Sequence, residues 1–268
     1  MKNDKRMRFT IAVRHLGANQ THDEVYKVQQ FLGRFGYLKE RFEPKKLDQP
    51  TQHALKVYQA RVGIEASGVI DEPTAQTLEQ PRCGVPDFSR GDAFARVGDP
   101  FVLRGCSYKG IASPVKYALS TPPQSFTLAD LQPAIKAAID TWKNEIPISF
   151  QEVSLSDDPV LTFEWVEREH GDGEPFDGVG HVLAHAFSPP KCGGTHTGKC
   201  HFDNQEVWDF FHGAGIHDIQ TVALHEIGHL LGLDHSAEET SVMFEYYKGT
   251  RRELTTGDIS AIQTLYSP

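Results

Sequence analysis

The chain has 268 residues, 39% hydrophobic and 24% charged, with a net charge of −9 at pH 7. That is globular composition, enough for one large or two modest domains. The acidic balance disfavours a nucleic-acid backbone as partner, and no apolar run approaches the roughly 18 residues needed to span a membrane.

Residues 1–19 form an N-terminal segment. Its charged start, Met1 to Arg6, is followed by a mostly apolar run, Phe9 to Val13, too short for the core of an export signal. No internal repeat or low-complexity stretch stands out. Residues 20–80 read as a small all-α unit. Val25, Val28, Phe31, Leu32 and Phe35 recur at helical spacing with Gly36 as a stop, and Ala54, Leu55, Val57, Tyr58 and Val62 repeat the pattern before Gly63. Asp71 can cap a third helix running through Leu78. VQQFLGRFGYL, ALKVYQ and SGVID resemble the peptidoglycan-binding-like three-helix fold.

Pro81-Arg82-Cys83-Gly84-Val85-Pro86-Asp87 cannot form a regular helix or a central strand. A cysteine in such an extended, exposed segment suits a metal ligand or a redox thiol. Residues 88–111 lack periodicity and read as a linker, so residues 81–111 are set apart from both flanks. Residues 112–268 read as one α/β domain. Strands are predicted at Val115–Thr121, Ile148–Val153, Val160–Val166, Val182–Ser188 and Cys200–Asp203. Helices are predicted from near Asp130 to Glu145, around the motif described next, and through Ile259, Ile262 and Leu265. Pro133 is tolerable only in its helix's first turn.

His225-Glu226-Ile227-Gly228-His229-Leu230-Leu231-Gly232-Leu233-Asp234-His235 carries the strongest chemical signal. His225 and His229 lie one helical turn apart on one face and can share a metal. Glu226 follows the first ligand, where a carboxylate can reach a water held by that metal. Gly232 lets the chain swing back so that His235 adds a third nitrogen. Three protein ligands leave the fourth position open, as in catalytic zinc sites. A second set, His170, Asp172, His185 and His201, offers four ligands with no open position, which fits a structural zinc. Asp177, Asp203 and Glu206, beside the glycines of FDGVG, supply hard oxygen ligands suited to calcium.

Together these stretches resemble the matrix metalloproteinases, members of the metzincin clan. PRCGVPD resembles their cysteine switch, HEIGHLLGLDHS their zinc motif, SVMF their Met-turn and HGDGEPFDGVGHVLAHAF their structural-zinc and calcium loop. The resemblance implies a metzincin α+β catalytic domain with a twisted mixed sheet and three helices, behind a three-helix prodomain. It implies a latent, secreted, monomeric zinc endopeptidase acting on extracellular proteins, opened by an activating protease. It holds His225, His229 and His235 on catalytic zinc, Glu226 as general base, Cys83 as the inhibitory fourth ligand, and two zinc ions with at least one calcium. Gly178, Gly180 and Val182 join Asp177, Asp203 and Glu206 as calcium ligands through backbone oxygens. Met243 lies under the zinc, and Thr221 and Tyr247 line the specificity pocket.

Nothing follows the last helix where the family carries a haemopexin-like propeller, so a minimal, matrilysin-like or plant-like layout is expected. Lys199 stands where an aspartate commonly helps bind another calcium, and Glu245 where a proline usually follows the Met-turn. Cys192 and Cys200 could pair, although four cysteines allow several pairings. Two other readings are a cell-wall or amide hydrolase with a glycan-binding N-terminal unit, and a non-catalytic binding scaffold. Cys83 argues against the first and the intact Glu226 against the second. Cutting at Arg90, Arg96 or Arg104 would separate the two parts.

Overall fold

A computed structural model describes residues 9–88, 103, 105–111, 113–120, 126–209 and 216–267. Arg90, Arg96 and Thr121 lie outside the described residues, as does Arg104. The described chain falls into two compact units. Residues 9–80 and 85–88 form one. Residues 81–84 belong to the other, with the described residues from Leu103 onward.

The first unit has three helices, α1 (Asp23–Arg34), α2 (Gln49–Arg61) and α3 (Glu72–Leu78). Asp48 caps α2 by accepting from the Thr51 amide, and Asp71 caps α3 by accepting from the Thr74 amide. Val25, Val28, Leu32, Leu55 and Tyr58 are buried between the helices, and the Phe31 and Tyr58 rings meet edge to face at 5.4 Å. The interior is also polar. The side-chain amide of buried Gln29 donates to the carbonyls of Glu43 and Lys46 and to the Thr51 hydroxyl. That of Gln59 donates to the Val69 carbonyl and to the hydroxyls of Ser67 and Thr74, while its oxygen accepts from the Gly68 amide. Each glutamine thus ties one helix to the N-terminus of the next, an echo that the residue pattern does not reveal. Residues 87 and 88 pack here too. Both amides donate to the Phe35 carbonyl, and the Tyr37 hydroxyl donates to Asp87 at 2.6 Å. Gly36, at φ +85°, leaves room for the Phe88 carbonyl, which an added Cβ would meet at 2.0 Å.

The second unit is built on a six-stranded sheet: β1 (Arg82–Cys83), β2 (Val115–Leu119), β3 (Phe150–Glu152), β4 (Leu161–Val166), β5 (Val182–Ala186) and β6 (Lys199–Asp203). Its order is β1-β5-β6-β4-β2-β3, and only the β5–β6 pair is antiparallel. Short strands β7 (Trp208–Asp209) and β8 (His217–Asp218) pair with each other. Three α-helices complete it: α4 (Leu128–Lys143), α5 (Ile219–Leu230) and α6 (Thr256–Tyr266). The observed strands are shorter than predicted at several ends, although single main-chain hydrogen bonds such as Val153 to the Tyr117 carbonyl continue past them. Helix α4 starts two residues earlier than predicted, so Pro133 lies inside it rather than in its first turn. Asp130 anchors that earlier start by accepting from the Thr127 amide and hydroxyl. The α4 stripe of Leu131, Ile135, Ala138, Ile139 and Trp142 is buried, and the Trp142 indole donates to the Leu224 carbonyl of α5 at 2.8 Å.

Both ends of the expected linker carry tertiary contacts. Phe88 belongs to the helical unit, whereas Leu103 bridges to Leu233 and Cys106 and Tyr108 are buried in the sheet unit. The Tyr266 hydroxyl accepts from the Tyr108 amide and donates to the Leu231 carbonyl. The suggested Cys192–Cys200 pairing is wrong. Cys192 bonds to Cys106, and Cys200 is a buried free thiol on β6. Cys200 lies inward on a central strand, whereas Cys106 lies on a segment that sequence reading assigned to no core.

Replacing Gln59 by Leu would strand the Gly68 amide in an apolar interior and remove the donor shared by the Val69 carbonyl and the Ser67 and Thr74 hydroxyls. Each buried orphan costs about 1–3 kcal/mol. The melting transition of the helical unit should therefore fall by several degrees in scanning calorimetry of the full chain. An unshifted transition would refute the role given to this network.

Candidate active site and metal centres

Helix α5 is buried almost throughout, capped by Asp218 through the Thr221 amide. Its i, i+4 histidines bring the Nε2 atoms of His225 and His229 to 3.1 Å. That spacing suits two nitrogens on one zinc, since Zn–N bonds of ~2.0–2.1 Å in a tetrahedron place nitrogens ~3.3 Å apart. The opposite ring atoms are anchored: Nδ1 of His225 to the Val242 carbonyl at 2.7 Å and Nδ1 of His229 to the Leu233 carbonyl at 2.8 Å. Such contacts fix tautomer and ring plane so that Nε2 faces the metal.

The chain turns back at Gly232, whose φ of +106° suits glycine and whose missing Cβ would lie 2.0 Å from the Cys106 carbonyl. His235 then joins the other two. Ligand atoms of Cys83, His225, His229 and His235 all lie within 4.8 Å of one another, and all four residues are buried. This cluster fits zinc: three imidazoles and a thiol converge, with the distal ring nitrogens of His225 and His229 already satisfied. Burial and the neighbouring His235 push His225 down to about 3, which keeps its imidazole neutral and able to bind a metal.

Glu226 is buried beside the cluster, and burial raises its carboxyl to about 8, with the Cys83 thiol opposing the rise. Neither of its oxygens accepts from a nitrogen or oxygen donor among the described residues. A carboxylate placed this way is available to an incoming proton. Beneath the site, Met243 packs against α5 where Gly228 leaves space; a Cβ there would sit 2.2 Å from the Met243 sulfur. Asp258 of α6 holds this turn by accepting from the Ser241 hydroxyl and the Val242 amide.

The segment 81–84 lies in a groove as an added strand. It runs parallel to β5 on one side, while on the other the Cys83 amide donates to the Glu245 carbonyl and the Tyr247 amide to the Pro81 carbonyl. Cys83 is therefore buried rather than exposed, in contrast to the sequence expectation. The adjoining cleft of about 410 Å³ is lined by Thr221, Val222, Val242, Tyr247 and Arg251, with Arg82 and Cys83 also on its wall. Thr221 and Tyr247 are tied down. The Thr221 hydroxyl donates to Asp218 and accepts from the Arg251 amide, and the Tyr247 hydroxyl accepts from the Asp218 amide. Arg252 completes the hub with an ion pair to Asp218, whose carboxyl stays below the usual range although burial alone would raise it.

The second cluster closes on Asp172. Its Oδ2 lies 2.7 Å from His170 Nε2, 2.8 Å from His185 Nε2 and 2.8 Å from His201 Nδ1. Burial pushes His185 down to about 4 and lowers His201 as well, so both rings are neutral ligands at neutral pH. Burial would raise Asp172, but hydrogen bonds from His185 and the Glu174 amide outweigh it and hold the carboxyl well below its ordinary range. Antiparallel pairing of β5 with β6 sets His185 directly opposite His201.

Residues 110–267 match the family model described as "Matrixin", and residues 21–78 match "Putative peptidoglycan binding domain". The chain belongs to the matrixin family. It is 32% identical over 257 residues to Metalloendoproteinase 1-MMP of Arabidopsis thaliana, covering 91% of this chain and 69% of that protein. It is 32% identical to Matrix metalloproteinase-16 of Homo sapiens, covering 92% of this chain and 42% of that protein. Karilysin of Tannerella forsythia is 39% identical over 166 residues, 62% of this chain and 34% of its own length. Several matched relatives are therefore much longer than the aligned region. Matrixins are zinc metalloendopeptidases that use catalytic zinc, structural zinc and calcium. Among the described residues of this matrixin no helix is long and apolar enough to cross a membrane.

The expected calcium ligands are held by the loop's own amides. Val182 donates to Asp177, Gly180 to Glu206 and Gly178 to Asp203. Burial, with the charges of Glu206 and Asp177 adding to it, raises Asp203 to about 7. Like charges packed this way fit a bound divalent cation. Sequence reading missed two buried histidines here, His181 against Asp177 and His217 at 3.3 Å from Glu206. It also missed Arg251, since nothing in its neighbours marks it as pocket lining.

Two outcomes are expected. His185→Ala should remove one zinc per chain in metal analysis of chelator-free protein; an unchanged count would refute the second site. Asp203, raised from 3.8 to about 7, stabilises the cation-free fold fully below about pH 4 and progressively less as pH rises to 7. Calcium should therefore raise the melting temperature of EGTA-treated protein more at pH 8 than at pH 5. An equal increment at both would count against Asp177, Asp203 and Glu206 as its ligands.

Proposed function

We propose that this matrixin is a latent endopeptidase that hydrolyses internal peptide bonds of extracellular proteins, with Glu226 as general base and Cys83 as the group that holds it inactive. The observation that carries the reading is the convergence of the Cys83 thiol with three histidines and Glu226 at one buried point. His225, His229 and His235 would hold a zinc there. Zinc supplies acidification of a coordinated water and polarisation of the scissile carbonyl. The chain does the rest. Glu226 accepts the proton of the attacking water and delivers it to the departing amine. Burial raises the Glu226 carboxyl, which strengthens its affinity for that proton. The groove between β5 and residues 245–247 orients the substrate as an added strand, as it now orients residues 81–84.

In the intact chain the Cys83 thiol would take the fourth position on a zinc held by the three histidines and leave no place for a water. Cutting within residues 88–111 by another protease, or by a second copy of the enzyme, would let the segment leave. Domain roles follow: residues 20–80 as prodomain, 81–111 as switch and activation segment, 112–268 as catalytic domain, acting as a secreted monomer.

Glu226→Gln should retain zinc and fold while hydrolysis of a quenched peptide drops about 10²–10⁴-fold. Near-normal turnover by well-folded, zinc-replete variant would remove Glu226 from the mechanism. Cys83→Ala should give an intact chain that is active or promptly cleaves itself, whereas intact wild type stays silent until a mercurial blocks the thiol. Equal activity of untreated wild type and Cys83→Ala would show that the thiol is not the brake.

A further inference from the structure

His217 is a buried imidazole that touches two features far apart in sequence. Its Nε2 lies 3.3 Å from Oε2 of Glu206, one of the carboxylates of the calcium loop. That oxygen accepts no hydrogen bond among the described residues, and Nδ1 of His217 likewise has no partner there. Trp208 ties the same stretch to the loop a second time. It pairs with His217 across β7 and β8, and its indole donates to the Asp203 carbonyl at 3.0 Å. The His217 ring also meets the Tyr247 ring edge to face, with centroids 5.2 Å apart. Tyr247 lines the cleft, and its hydroxyl accepts from the amide of Asp218, the residue that caps α5. A phenylalanine would fill this space without burying an unpartnered nitrogen, so packing alone gives no reason for an imidazole. The nitrogen that faces Glu206 does.

We propose that His217 is a positioning residue that couples calcium in the loop of Asp177, Asp203 and Glu206 to the Tyr247 wall of the cleft. With the Glu206 carboxylate fixed by a cation, the imidazole edge facing it is fixed too, and the ring buttresses Tyr247. Coupling between two sites is reciprocal, so a change at Tyr247 must weaken calcium through the same ring. The inference rests on the calcium assignment and, for its effect on substrate binding, on the endopeptidase reading above. The coupling itself is measured without turnover.

The test is calcium titration calorimetry on calcium-depleted, zinc-loaded full chain, with a melting curve recorded for each variant. Asp203→Asn should abolish the titration, which identifies the site. His217→Phe keeps a ring but loses the nitrogen, and should bind calcium about 10–100-fold more weakly. His217→Gln restores a donor but not the ring, and should fall between wild type and His217→Phe. Tyr247→Leu should weaken calcium about fivefold in the wild-type background and add nothing in His217→Phe. Where His217→Phe does not fold, the same cycle is read with His217→Gln. After activation with a mercurial, calcium should lower the KM of a quenched peptide about fivefold in wild type, with little change in kcat, and leave KM unmoved in His217→Phe. Unchanged calcium affinity in His217→Phe, or equal weakening by Phe and Gln, overturns the hold on Glu206. A Tyr247→Leu effect that is absent, or that adds in full to that of His217→Phe, overturns the coupling. A wild-type KM indifferent to calcium also overturns it and leaves the endopeptidase reading standing. If no activated form cleaves peptide, the endopeptidase reading fails and the calorimetric cycle alone decides the coupling.

Discussion

Three imidazoles and a thiol crowded into one buried point are tolerable only if their lone pairs have a common cation to face. The surrounding chain is arranged around that condition. The Val242 and Leu233 carbonyls hold the far sides of His225 and His229, burial keeps His225 neutral, and Gly232 brings His235 round. Support continues outward. Met243 packs into the space left by Gly228, Asp258 pins the turn before Met243, and Trp142 ties α4 to the carbonyl of Leu224. A one-carbon addition at Gly228 or Gly232 would meet an atom at about 2 Å, so the glycines of the motif are as demanding as its histidines.

On the proposed reading, the same groove would serve both catalysis and its suppression. Residues 81–84 are held by main-chain hydrogen bonds on both sides, which any peptide could make. What distinguishes them is the pair of side chains at the centre: a sulfur aimed at the histidines and a guanidinium on Tyr246. Main-chain pairing gives the segment its place, and the side chains give it residence.

The zinc motif was legible in sequence because its chemistry depends on spacing within one helix turn, and a period of 3.6 residues turns sequence intervals directly into directions. The second cluster was readable through the family resemblance; the strand pairing that sets His185 opposite His201 is visible only in the fold. Other features depend on partners far apart in the chain and leave no local trace. Cys106 and Cys192 are separated by 86 residues, and the segment bearing Cys106 has no periodicity to announce that it is buried. Gln29 and Gln59 look like solvent-facing helix residues until the following loops fold over them. His217 and Arg251 owe their positions to Glu206 and Thr221, which only the tertiary fold supplies. Pro133 shows the opposite failure: a sound local rule overridden by a capping contact at Thr127 that starts the helix two residues early.

The Cys106–Cys192 bridge sets a requirement on where and how the chain can mature. A compartment oxidising enough to close it is also one that threatens the thiols meant to stay reduced. Cys83 and Cys200 are both buried, and burial holds the Cys200 thiol far from ionisation. Thiolate is the species that attacks a disulfide, so an un-ionised, enclosed sulfur is kinetically inert to exchange. Cys83 is shielded in another way, by the strand pairing that brings it to the histidines. The order of events during folding then matters: a chain whose sheet forms before oxidant arrives leaves just the two correct sulfurs within reach. A chain oxidised while still open could form any of six single bridges among its four cysteines, and three of the six consume Cys83, the thiol proposed to hold the enzyme inactive.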